Sequence, residues 1–197
     1  MFANMLILAI NAWFFVLLNT IMQNKILLIH ESAGGELRTP TRGPRPLDRT
    51  DRLILRCLQE DGRLANVALA RKVNLTPTPC LERVRRLERD GYIRGYTALL
   101  EPGMVDAGLL VFVEIDLLRT SPDAFRNFRR EAKKLPELLE CHLVSGNFDY
   151  LLKARVKDMQ EYRRLLGEKI LALPGVSDSR SYVVMEEVKE TTCISLG

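Results

Sequence analysis

Between residues 47 and 90 apolar positions recur every three to four residues, in three short runs separated by turn-forming residues, a helical period. The first run, 47–58 (LDRTDRLILRCL), puts Leu53, Ile54, Cys57 and Leu58 on one face. Asp48 or Thr50 can cap its free amides, and Asp61-Gly62 ends it. The second, 66–73, aligns Val67, Ala70 and Val73. Asn74-Leu75-Thr76-Pro77 follows: Asn tolerates the left-handed backbone of a tight turn, Thr76 can cap a helix, and Pro77 suits a first helical position. The third helix, predicted over 78–90, turns Leu81, Val84 and Leu87 inward. It leaves Thr78, Glu82, Arg83, Arg85, Arg86 and Arg89 outside. Residues 91–100 (GYIRGYTALL) have strand propensity and predict a small β wing.

Beyond residue 108 the period changes. Residues 109–118 alternate, with Val111, Val113, Ile115 and Leu117 on one side and Phe112, Glu114 and Asp116 on the other, the signature of a half-buried strand. Ser121 caps a predicted helix with the stripe Phe125, Phe128, Ala132 and Leu135. Strand-like runs at 140–145 and 150–156 are joined by Gly146-Asn147-Phe148-Asp149. A helix over 158–173, with Met159, Tyr162, Leu166, Ile170 and Leu173 inward, stops at Pro174-Gly175, and a last strand spans 180–188. This βαββαβ order is ferredoxin-like. The fold class is therefore α+β: a winged helix-turn-helix over 47–100, all-α with a small wing, then a ferredoxin-like domain over 101–197. The sheet face away from the helices still carries Phe112 and other apolar groups, which points to a second subunit.

Residues 1–46 read differently. The first 24 carry no charge, and Ser32 to Pro46 is rich in Gly, Pro and Thr, a linker composition. A bilayer core needs roughly 20 apolar residues, so the run is long enough for an anchor, with Lys25, Arg38, Arg42 and Arg45 holding the rest in the cytoplasm. It is a poor secretory signal, lacking a basic start and a small-residue cleavage site. The other reading is that translation begins later, at Met22 or beyond.

Charge sharpens the division of labour. Residues 47–96 carry eleven Lys/Arg against seven Asp/Glu, whereas 97–197 carry fourteen against sixteen. A basic module joined to a slightly acidic one suits polyanion binding by the first. Two short helices around a tight turn, the second opening on small polar residues and rich in arginine, form a helix-turn-helix whose second helix enters the major groove. That places Thr76, Thr78 and Cys80 near base edges. Arg83 and Arg86 can reach bases or phosphates, and Arg85 and Arg89 complete the basic face. The competing reading is a helical hairpin with a solvated basic surface.

The four cysteines, Cys57, Cys80, Cys141 and Cys193, have no metal-ligand spacing and read as small buried thiols in a reducing cytoplasm. No metal or cofactor is expected. Cys141-His142 and Glu186-Glu187 are neighbours on strands, so their side chains point to opposite faces and make no catalytic pair; no enzyme is expected.

LDRTDRLILRCLQEDGR, LTPTPCLERVRRLERDGYIRGYTALL, LLVFVEI, ECHLVSGNFDYLLKARV and SYVVMEEVKE closely resemble the Lrp/AsnC "feast/famine" family of transcription regulators, over about residues 47–190. Residues 1–46 have no counterpart in the compact members, which favours the later start. The resemblance implies a cytoplasmic, nucleoid-associated regulator of amino-acid metabolism. It binds double-stranded DNA, dimerises through its sheets into octamers or larger rings, and responds to small amino acids, leucine above all. It also implies an effector site near the loop of Gly146, Asn147 and Asp149, with Leu143 before it, Met159 and Leu171 on the next helix, and Tyr182, Val183 and Val184 on the last strand. Asp149 would take the ammonium, loop amides the carboxylate, and Leu143, Met159 and Leu171 the side chain. The family usually has an acid where this chain has Asn147. The alternative function is an amino-acid-sensing interaction module, membrane-anchored or cytoplasmic.

Overall fold

The computed structural model describes residues 45–196; the uncharged start, with both readings of it, and most of the linker lie outside the described residues. The described chain divides into two units, one running up to Leu99 and taking in the tail from Glu187, the other spanning Leu100–Glu186.

In the first unit α1 (Arg49–Glu60), α2 (Asn66–Lys72) and α3 (Pro77–Arg89) surround a small core of Ile54, Leu55, Cys57, Leu69, Ala70, Val73, Cys80 and Leu87. Asp48 is the cap of α1. Its carboxylate accepts from the Asp51 amide and its own amide donates to the Asp51 carboxylate, a reciprocal capping box. Between α2 and α3, Asn74 takes the left-handed backbone (φ 55°) and the Leu75 amide returns to the Ala70 carbonyl. The Asn66 side chain donates to the Pro77 carbonyl at 2.8 Å, pinning the start of α2 to the start of α3.

Residues 91–100 are not paired into a strand. The expected wing segment instead folds back on the helices: the Ile93 amide donates to Leu87, the Tyr92 hydroxyl to the Arg45 carbonyl, and the Tyr96 hydroxyl to Glu88 at 3.0 Å. Strand propensity without a partner strand has nothing to pair with. The tail from Glu187, which the sequence reading gives to the C-terminal domain, groups by its contacts with the helical unit, where Leu196 packs against the core.

The second unit begins with a short 3-10 turn, Pro102–Val105. It then follows the order β1 (Leu109–Leu117), α4 (Pro122–Ala132), β2 (Leu138–Leu143), β3 (Tyr150–Val156), α5 (Met159–Arg164) and β4 (Val176–Val183). The strands form one antiparallel sheet in the order β2-β3-β1-β4, the ferredoxin-like arrangement. Val111, Val113 and Ile115 of the central strand are wholly buried against Phe128, Leu152, Ala154 and Ile170. Phe128 stacks on Tyr150 with ring centroids 4.4 Å apart, and Phe125 meets the same ring edge-on. Burial of that phenol, the dominant influence, pushes the Tyr150 hydroxyl far above its ordinary range.

The helix after β3 departs from a regular period. Leu165–Ile170 is a π turn, closed by the Leu171 amide on the Leu166 carbonyl. Its wider turn explains why Tyr162, Leu165, Ile170 and Leu173 are buried while Leu166 is only half-buried. Met159, predicted inward, is the first residue of α5 and 48% exposed. The last strand runs earlier than predicted, ending at Val183, so Glu186 and Glu187 lie beyond it.

Phe128→Ala removes the ring that stacks on Tyr150 and should cost about 3 kcal/mol or more, as a cavity in a rigid core does. The measurement is urea unfolding, with the midpoint falling and the slope unchanged.

Candidate DNA interface and effector surface

The outward face of α3 is set by its period. Thr78, Glu82, Arg85 and Arg89 stand three or four residues apart and are all exposed, with Thr76 exposed just before them. Thr76 occupies the cap position without a side-chain cap bond, so its hydroxyl remains available. Arg85 and Arg89 have no ion-pair partner among the described residues.

Three other residues expected on this face are elsewhere. Cys80 is 0% exposed and belongs to the core of the helical unit, because position 80 shares the buried side of α3 with Leu87. Burial holds its thiol above the usual range. Arg83 and Arg86 turn toward α1. Arg83 Nη1 donates to Asp48 Oδ2 at 2.6 Å and to Asp51 Oδ1 at 2.8 Å. Arg86 Nη2 lies 2.6 Å from Asp51 Oδ2, close enough for an ion pair, yet its Nε and Nη2 make no well-directed hydrogen bond. Asp51 itself is 0% exposed. A carboxylate buried at that depth requires cationic partners, and the two arginines one turn apart on α3 supply them. The hydrogen bond from Arg83, reinforced by the Asp51 amide, holds the Asp48 carboxyl down at about 2.

In the second unit the residues expected around an effector fall into two groups. Ile115 of β1 pairs with Tyr150, so the loop between β2 and β3 lies at the far end of β1, with Gly146 and Asn147 exposed and Leu143 half-buried. Leu171, 46% exposed, closes its helix just before Val176, which pairs with Leu117 at the same end. Val183 pairs with Val111, so Tyr182, Val183 and Val184 lie at the opposite end. There too the chain enters α5 at Met159, after Val156 has paired with Leu109. Four residues of strand, about 13 Å, separate the two ends. One chain thus brings Leu143, Gly146, Asn147, Asp149 and Leu171 to one end and Met159, Tyr182, Val183 and Val184 to the other.

Asp149 is turned inward. It is buried, its Oδ2 accepts from the Leu117 amide at 2.9 Å, its amide donates to Ile115, and its carbonyl accepts from Val144. The carboxylate expected to take an ammonium instead staples its loop to the end of β1. Cys141 and Cys193 are exposed rather than buried. His142 reaches Glu140 at 2.9 Å on its own face of β2, away from Cys141.

Comparison with known proteins places these units. A family model described as winged helix-turn-helix DNA-binding matches residues 47–94, and one described as the Lrp/AsnC ligand binding domain matches 110–194. The chain is 64% identical over 150 residues to proteins named leucine-responsive regulatory protein, including those of Escherichia coli strain K12 and Serratia marcescens, covering 76% of this chain and 92% of each relative. Among solved structures it is similar to a transcriptional regulator of Neisseria meningitidis in complex with L-methionine (41% identity, TM-score 0.73, 76% of this chain and 97% of that one). It is similar too to an AsnC family transcriptional regulator of Agrobacterium tumefaciens (39% identity, TM-score 0.73, the same coverage).

Two measurements test the charge network. Asp51→Ala leaves Arg83 and Arg86 without their shared partner and should cost about 3 kcal/mol, read from urea unfolding. Asp48 has a folded value near 2, below the unfolded value of about 3.9, so its stabilising contribution is fully present above pH 4 and is lost as pH falls through 2. Asp48→Asn keeps a capping side chain but should flatten the fall in melting temperature between pH 4 and 2. An unchanged slope would mean that Asp48 is not the group titrating.

Proposed function

The chain belongs to the Lrp/AsnC family of transcription regulators, and we propose that it acts as an oligomer whose α3 helices grip double-stranded DNA and whose effector is leucine or a close apolar amino acid. Membership makes it a DNA-binding transcription regulator responsive to amino acids. The alternative of an interaction module with a secondary DNA role is not favoured.

The observation that carries the DNA reading is the exposed stripe of Thr76, Thr78, Arg85 and Arg89, in contrast to Arg83 and Arg86, which are engaged within the unit. Hydroxyls near the start of a recognition helix suit base edges, and unpaired arginines further along suit phosphates. Arg83 and Arg86 then act on DNA indirectly, by fixing α3 on α1.

Assembly is supported by the sheet face opposite the helices, where Phe112 and Tyr182 pair across β1 and β4. The effector reading rests on the relatives: one group is named for leucine, and a structural neighbour holds L-methionine. Because the candidate residues lie at two ends of one sheet, an effector in contact with both groups is held between chains. Leu143 and Leu171 are apolar contacts and the amides of Gly146 and Asn147 receive the carboxylate. The work is done in the cytoplasm, on the nucleoid, without catalysis or a cofactor; among the described residues no helix is long and apolar enough to cross a membrane.

Gel-shift titrations at fixed salt test both halves. Arg85→Ala with Arg89→Ala should weaken DNA binding at least tenfold and lower the slope of log affinity on log salt by about one for each phosphate no longer neutralised. Unchanged affinity would remove the stripe from the interface. L-leucine or L-methionine should shift the dissociation constant in the parent chain, and Leu171→Asp should abolish the shift while sparing effector-free binding. Indifference of the parent to every apolar amino acid would sink the effector reading.

A further inference from the structure

The chain reaches the helical unit twice. It leaves at Leu99, builds the whole sheet unit, and returns at Glu187. The returning tail does not trail over the surface of α1; it is held at defined points. The Gln59 side-chain amide makes both bonds of a strand-like pair with one tail residue: its Nε2 donates to the Ile194 carbonyl at 3.0 Å, and its Oε1 accepts from the Ile194 amide at 2.6 Å. Arg56 Nη2 donates to the Leu196 carbonyl at 3.3 Å, and the Cys193 thiol approaches the Gln59 carbonyl at 3.5 Å. The Leu196 side chain packs against the core of the helical unit.

The chemistry fits α1 in particular. The last turn of α1 has no basic residue to answer its free carbonyls, and the Cys193 thiol of the tail reaches one of them, that of Gln59. A primary amide with a donor and an acceptor side by side reads backbone and not side chain, which is why an unremarkable tail sequence suffices. These hydrogen bonds are exposed and individually weak, but the tail is covalently bound to the same molecule, so its local concentration is high and docking is intramolecular.

We propose that residues 191–196 are a docking strap: seated on Arg56 and Gln59 of α1, they tether the DNA-binding unit at two points instead of one and so raise affinity for DNA carrying two sites without touching DNA. The physical reason is pre-organisation. When several copies of a helical unit seat on one duplex, each loses freedom, and a unit held at both chain ends has less to lose. This rests on the multi-copy reading above. Gln59 is thereby a positioning residue, acting through the tail.

The test uses the full chain, its Gln59→Ala variant and a chain ending at Glu190, with duplexes carrying one or two copies of a sequence the parent selects from a random pool, spaced by whole helical turns. In the parent the Ile194 amide should exchange with solvent at least tenfold more slowly than in the free tail peptide, and in Gln59→Ala within twofold of that peptide. Both variants should lose at least threefold in affinity for the two-site duplex and change less than 1.5-fold on the one-site duplex. Peptide-like exchange of Ile194 in the parent overturns the docking. Equal losses on both duplexes, or none on either, overturn the tether, the first because it marks damage to the DNA-reading unit. A parent that binds both duplexes alike also overturns it, and the sedimentation mass then tells a failure of assembly from a failure of the strap.

Discussion

Asp51 is a carboxylate with no access to water, placed where the start of α1 meets α3, and the DNA-reading half of the molecule is organised around satisfying it. Its oxygens take the amide of Asp48 and the guanidinium groups of Arg83 and Arg86, so one buried charge ties the cap of α1 to the middle of α3. Hydrophobic contacts alone in so small a unit would allow α3 to roll about its axis. Fixed charges one turn apart do not, because rolling would strand a buried carboxylate. The facing direction of Thr78, Arg85 and Arg89 is thus a consequence of where Arg83 and Arg86 are held.

That partition of arginines was not legible in the sequence. Four arginines within seven residues look equivalent on a helical wheel, and Asp51 reads as an ordinary first-turn acid. Only its burial separates the two that hold the helix from the two that face outward. The same limit hid Cys80, whose position beside Pro79 in the first turn looks exposed until the core of the unit is seen to reach it. What could be read was local: the left-handed turn at Asn74, a cap at Asp48 or Thr50, which the structure assigns to Asp48, and the order and type of each helix follow from chemistry within a few residues.

The sheet unit divides in the same way. Alternation in 109–118 identified the buried face of β1, the run at 150–156 read as a strand, and the βαββαβ order gave the topology. The π turn at Leu165–Ile170 was hidden because no residue type demands it; it shows only as an irregular spacing of buried positions. The resemblance makes Asp149 a ligand for an ammonium; in the structure one of its carboxylate oxygens accepts from the Leu117 amide. A residue whose carboxylate and backbone are both bonded to the end of β1 gives the loop a rigid base, leaving Gly146 and Asn147 as its exposed rim.

Strand register gives the sharpest constraint on regulation. Loop and last strand are both central to amino-acid sensing in the sequence reading, yet Ile115 pairs with one side and Val111 with the other. Groups based about 13 Å apart along β1 do not close on a molecule as small as leucine within one chain. Either one group alone makes the site, or the two ends meet through different copies. In the second case binding and assembly are one equilibrium, since an effector that touches two chains necessarily favours the arrangement in which they are together. A sensor built that way needs no moving lid. The sheet can stay rigid, and the number and spacing of α3 helices presented to DNA change with the assembly.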